Sequence, residues 1–116
     1  MDYRFINPAY IESVSGGDAE TIRELVSIFT EQIPEFSKEM KELLGKSDFY
    51  NLGLLAHKAK SSVAIMGMED LAVMLKKFEI DAKANKNPEN YATYVARFES
   101  ETCEAVAELG EYLKKL

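Results

Sequence analysis

Residues 49–82 read FYNLGLLAHKAKSSVAIMGMEDLAVMLKKFEIDA. Phe49, Leu52, Ala56, Ala59, Val63 and Met66 recur at steps of 3 and 4, and Met68, Leu71, Leu75, Phe78 and Ala82 repeat the pattern. Such steps return side chains to one face of an α-helix, so each run predicts an amphipathic helix with one apolar seam. Gly67 closes the first helix, and Glu69 and Asp70 suit the positive N-terminal end of the second. Two helices joined this tightly fold back antiparallel, both seams turned to a shared core.

The same spacing continues on both sides. Asn7 is a good N-cap and Pro8 a good first residue for a short helix that Gly16-Gly17 ends. Asp18 caps a long helix carrying Ile22, Leu25, Val26, Phe29, Ile33, Phe36, Met40, Leu43 and Leu44. Pro34 lies inside it and should bend it, since proline removes a backbone hydrogen bond at about 3 kcal/mol if nothing compensates. Gly45 and Ser47-Asp48 make the next break. After Phe78 and Ala82, ANKNPEN is a loop in which Asn87-Pro88 repeats the cap-then-proline signal. The last helix runs through Tyr91, Val95, Phe98, Thr102, Ala105, Leu109, Tyr112 and Leu116. No stretch requires a strand. The expectation is an all-α chain: one domain over 1–116, an up-down antiparallel four-helix bundle with a short N-terminal helix packed at one end.

Composition narrows the function classes. The chain has 116 residues, 47% hydrophobic and 29% charged, which is ordinary for a globular domain with a real core. Its net charge of −6 argues against a nucleic-acid or anionic-membrane surface. No apolar run approaches the roughly 18 residues that span a bilayer. MDYRFINPAY lacks the basic and apolar regions of a signal peptide, and a lone Cys103 cannot form an internal disulfide, so a cytoplasmic setting is expected. Metal-ligand clusters and Gly-rich phosphate loops are missing, so neither a metal site nor a cofactor is expected.

His57 is the only histidine. It follows Ala56 by one residue, about 100° off the seam, and so sits on a flank. Its flank neighbours are Gly53, Lys60, Ser61 and Ala64, three of them small. Mid-helix glycine costs about 1 kcal/mol relative to alanine, so stability does not choose this flank. The reading is clearance: Gly53, Ser61 and Ala64 leave His57 open to something large. Reflection about residue 68, the centre of the hairpin, places Glu79 opposite His57 across the groove. A carboxylate there would accept Nδ1–H and leave Nε2 as a free lone pair, with Lys60 one turn away for an anion at Nε2. Lys58, Lys76, Lys77 and Lys83 read as solvated charges, and Met66, Met68 and Met74 as core. A bland alternative exists for His57 too, a half-exposed polar residue with a surface ion pair of little worth.

AHKAKSSVAIMGMEDLA resembles the histidine phosphotransfer (HPt) domains of multistep two-component phosphorelays, whose signature is His, then Lys three residues on, small residues, and Gly near the helix end. GGD, the proline in the long helix and MLKKFE, which ends on Glu79, fit the same family across essentially the whole chain. Ala59, Ser61 and Val63 depart from the usual pattern; Ser61 stands where the family often has Gly, beside the imidazole. The resemblance implies a phosphocarrier and not an enzyme. His57 would accept a phosphoryl group from the phospho-aspartate of one receiver domain and pass it to another. Lys60, Glu79 and Ser61 would support it. The partners implied are receiver domains of response regulators and hybrid sensor histidine kinases, the receiver bringing Mg²⁺, and the chain is expected to be a monomer. The apolar part of the docking surface is expected at Tyr10, Ile11 and Val14 of the first helix, since a short helix cannot bury every face. Two rivals are a helical adaptor whose histidine is incidental and a small hydrolase using His57 and Glu79 as a base and its orienting group.

Overall fold

The structure, a computed structural model, describes residues 3–116. Met1 and Asp2, which the one-domain expectation includes, lie outside the described residues. The chain is all-helical, with five α-helices and no strand among the described residues: α1 (Pro8–Ser15), α2 (Ala19–Gly45), α3 (Phe49–Ile65), α4 (Glu69–Lys83) and α5 (Tyr91–Lys114).

Caps explain most of the boundaries. Asn7 Oδ1 accepts Tyr10 N–H at 3.2 Å to start α1. The Asp18 carboxylate accepts both the N–H and the hydroxyl of Thr21, at 2.9 and 2.6 Å, to start α2. Those bonds to Thr21 hold the Asp18 carboxyl below its usual range. Asp48 takes the same place before α3, binding the Asn51 side-chain amide at 2.8 Å. Gly16 and Gly67 adopt the left-handed backbone that ends α1 and the α3–α4 turn. One expectation needs correction. Asn87 makes no side-chain cap; it takes a left-handed φ of 52° itself, and a 3-10 turn, Pro88–Asn90, leads into α5. Pro34 lies inside α2, as expected, and the helix continues on both sides of it.

Packing follows the seams. α3 lies along α4, α2 touches α3 and α5, α5 returns to α4, and α1 rests on α2 and α3. The shared interior holds Phe29, Met40, Leu52, Leu71, Leu75, Phe78, Phe98 and Leu109, all buried. Tyr91 is fully buried between Phe49 and Phe78, its ring centroid 5.0 and 5.6 Å from theirs, and its hydroxyl donates to the Asp81 carbonyl at 2.8 Å. That bond satisfies a polar tip that burial would otherwise leave unpaired.

Residues 3–7 form a strap that fixes α1. Three successive backbone N–H groups, of Arg4, Phe5 and Ile6, donate to the Glu108 carboxylate of α5 at 2.9, 3.0 and 3.1 Å. Asn7 N–H then donates to the Met66 carbonyl at 3.0 Å, tying the strap to the α3–α4 turn. Gly67 packs directly under Asn7, where a Cβ would collide with the Asn7 side chain. Ile11 is fully buried at this end of the molecule. It is therefore part of the core and not of the exposed docking patch expected for it.

Candidate functional site

The α3–α4 groove is built from facing stripes. On α3 the stripe is Gly53, His57, Lys60 and Ala64; on α4, read backwards, it is Lys83, Glu79, Lys76 and Ala72. Two of the four levels show direct juxtaposition, and at a third the two residues line one cleft. A Cβ on Gly53 would lie 2.8 Å from Lys83 Cγ. His57 Nδ1 stands 3.0 Å from Glu79 Oε1. Ala64 and Ala72 line one cleft of about 350 Å³ with Tyr10, Gly67, Glu69 and Val73.

The Glu79 carboxylate is the organising group. Its side chain is 8% exposed against 54% for His57, so the acid lies in the groove floor and the imidazole on the outer lip. A buried carboxylate is costly unless paired. Glu79 has two partners: Oε1 faces His57 Nδ1, and Oε2 accepts from Lys83 Nζ at 2.9 Å. The Lys83 hydrogen bond is the main cause holding the Glu79 carboxyl down at about 2, against the opposing push of burial, with His57 adding to it. An ionised carboxylate can only accept. In the neutral ring the proton at this contact therefore resides on Nδ1, which leaves the lone pair on Nε2.

The structure brings His57 and Glu79 together and leaves Lys60, half-buried, one turn further along α3. Ser61 is exposed beside the imidazole, and Ala64 is half-buried in the cleft wall. Gly53 requires a correction. It is buried, and beyond the Lys83 contact a Cβ there would sit 3.0 Å from the Glu79 carbonyl oxygen. It is small because α4 crosses it, not to leave an open flank for a partner. Lys83, expected as a solvated charge, is instead the ion-pair partner of Glu79. Its signal was available in the sequence, four residues after Glu79 on the same helix face.

Tyr10 and Val14 are 42% and 47% exposed on α1. Further exposed apolar side chains escaped the sequence reading: Ile28 of α2, Leu54 and Ile65 of α3, and Val73 of α4. All four fall off the apolar seams, which was the one sign of them. Among the described residues no group of three or more His, Cys, Asp or Glu side chains could hold a metal ion, and no helix is long and apolar enough to cross a membrane.

Antiparallel α3 and α4 present a lone imidazole on the surface of a helical protein, its Nδ1 turned to a carboxylate in the groove between them. The Hpt domain family model matches residues 24–111, most of the chain, and the chain belongs to that family. The match covers His57, Lys60, Ser61, Glu79 and Lys83 and leaves the strap and α1 outside. No curated protein and no solved structure matches the chain significantly. Membership places it among the histidine phosphotransfer domains of two-component signalling, phosphocarriers that work with receiver domains.

Proposed function

We propose that the chain is a phosphorelay intermediate in which His57 accepts a phosphoryl group from the phospho-aspartate of a receiver and returns it to an aspartate of another. The observation that carries this is the His57–Glu79 contact at 3.0 Å on an exposed lip. Nε2 attacks phosphorus as the bond from phosphorus to the aspartyl oxygen breaks, so the acyl phosphate becomes a free carboxylate. Nδ1 keeps its proton throughout. The ring therefore gains positive charge as the N–P bond forms, and the Glu79 carboxylate beside it offsets that charge. Lys83 holds Glu79 ionised and aimed. Lys60 faces the incoming phosphoryl oxygens. Ser61 borders Nε2 and limits how closely the partner approaches.

The partners fitted to this site are receivers of response regulators and hybrid sensor histidine kinases, which carry the Mg²⁺. Tyr10, which lines the cleft at Ala64, and Val14, exposed on the same helix, supply apolar contact to them. In this reading the chain is one domain over 1–116, an up-down four-helix bundle with α1 at one end, monomeric and cytoplasmic, and it catalyses nothing by itself. The test is to mix it with phosphorylated receivers from the same genome. An acid-labile, base-stable phosphoryl group on His57, missing in His57→Gln, supports the reading; equal labelling of the variant refutes it.

A further inference from the structure

Lys76 stands opposite Lys60 in the facing stripes, bracketed by the His57–Glu79 contact on one side and the Ala64–Ala72 cleft on the other. Neither lysine has an ion-pair or hydrogen-bond partner among the described residues. Glu79 is engaged by His57 and Lys83, and Glu69, at the Ala64–Ala72 cleft, forms an ion pair with neither lysine. Lys60 is half-buried, and Lys76 is exposed, as His57 is. Lys77, the neighbour of Lys76, lies about 100° further round α4 and outside the stripe that faces α3. Two uncompensated cations facing each other repel, and a chain with a net charge of −6 does not lack carboxylates to separate them. An anion placed between them removes the repulsion.

Resting on the phosphocarrier reading, we infer that Lys76 is the second cation of a two-helix clamp on the phosphoryl group at His57 Nε2, with Lys60 contributing from α3 and Lys76 from α4. The resemblance pointed to Lys60 alone. A clamp from two helices holds the phosphoryl oxygens from two sides, and an ammonium on a four-carbon stem at the lip reaches over an imidazole one turn away. The clamp also adds to the selectivity of the site for a dianion over a neutral group.

Labelling with phosphoramidate alone tests this without a receiver. The P–N bond of phosphoramidate breaks, ammonia leaves, and the Nε2–P bond forms. NMR of lysine Cε–Hε groups before and after labelling should show Lys60 and Lys76 shifting, with His57→Gln silent. With a phosphorylated receiver, Lys76→Gln should slow transfer about fivefold to tenfold, the loss of one charge-assisted hydrogen bond, and Lys76→Arg should restore most of it. Melting of Lys76→Gln should match the parent, since the side chain is exposed. Labelled His57 with Lys76 unmoved overturns the clamp alone, including the case where Lys76→Gln slows only receiver transfer, which makes Lys76 a receiver contact. No label on His57 removes the phosphocarrier reading and the clamp together.

Discussion

His57 Nδ1 and Glu79 Oε1 lie 3.0 Å apart across the α3–α4 groove, with the acid in its floor and the imidazole on its lip. This contact sets the tautomer. The neutral ring should carry its proton on Nδ1, and long-range ¹⁵N–¹H spectra of that form should show an unprotonated Nε2. In Glu79→Ala the preference should weaken to a mixture of tautomers. A neutral ring protonated on Nε2 and not on Nδ1 in the parent would remove Glu79 from the site.

The same carboxylate makes stability depend on acid. Its folded value is about 2 against an ordinary 4.5, chiefly through the Lys83 hydrogen bond. A depressed carboxylate stabilises the fold fully above pH 4.5 and loses that contribution as pH falls through about 2. Between those limits the parent should lose stability more steeply than Glu79→Gln. Denaturant midpoints measured across the window check it; parallel slopes would show Glu79 contributing nothing there.

Gly53→Gln and Ser61→Gln should separate. Helix propensity alone favours replacing Gly53 by about 1 kcal/mol. A Cβ at 53 would press on Lys83 Cγ and the Glu79 backbone at 2.8 and 3.0 Å. Gly53→Gln should therefore destabilise by about 1–3 kcal/mol, the range for an overpacked contact. Ser61 is exposed, so Ser61→Gln should melt like the parent while slowing receiver transfer about tenfold or more, which is about 1.4 kcal/mol of barrier. Phosphoramidate should still label it.

Most of the helical architecture was legible because it rests on period: the seams from Phe49 to Met66 and from Met68 to Ala82 appear in the sequence at the spacing the core uses. Reflection about residue 68 also gave the His57–Glu79 pair. The same reflection pairs Gly53 with Lys83, yet a single-helix wheel showed Gly53 only as a flank, because it says nothing of what crosses that flank. Ile11 was misplaced because an eight-residue helix has too few turns to declare its inner face. The Glu108 clamp was invisible: it joins an irregular strap to a helix about a hundred residues away, with no period to reveal it.

Glu108→Ala tests what that strap does. Three backbone N–H groups lose their acceptor, and about 1.5–3 kcal/mol of stability should go, the worth of hydrogen bonds to a charged group. If α1 supplies receiver contacts through Tyr10 and Val14, the variant should also raise the receiver concentration needed for half-maximal transfer, with phosphoramidate labelling unchanged. Val14→Glu should raise it too, with stability intact. Unchanged receiver affinity in both would assign α1 to closing the molecule's end.

The central claim is tested most directly by a two-receiver relay. A radiolabelled phospho-receiver is mixed with the protein, the labelled protein is isolated, and an unlabelled second receiver with Mg²⁺ is added. The expected result is label first on Nε2 of His57 and then on the aspartate of the second receiver, with His57→Gln blocking both steps. Label that reaches the second receiver through His57→Gln as fast as through the parent, or that never appears on His57 with any receiver of the genome, would contradict it.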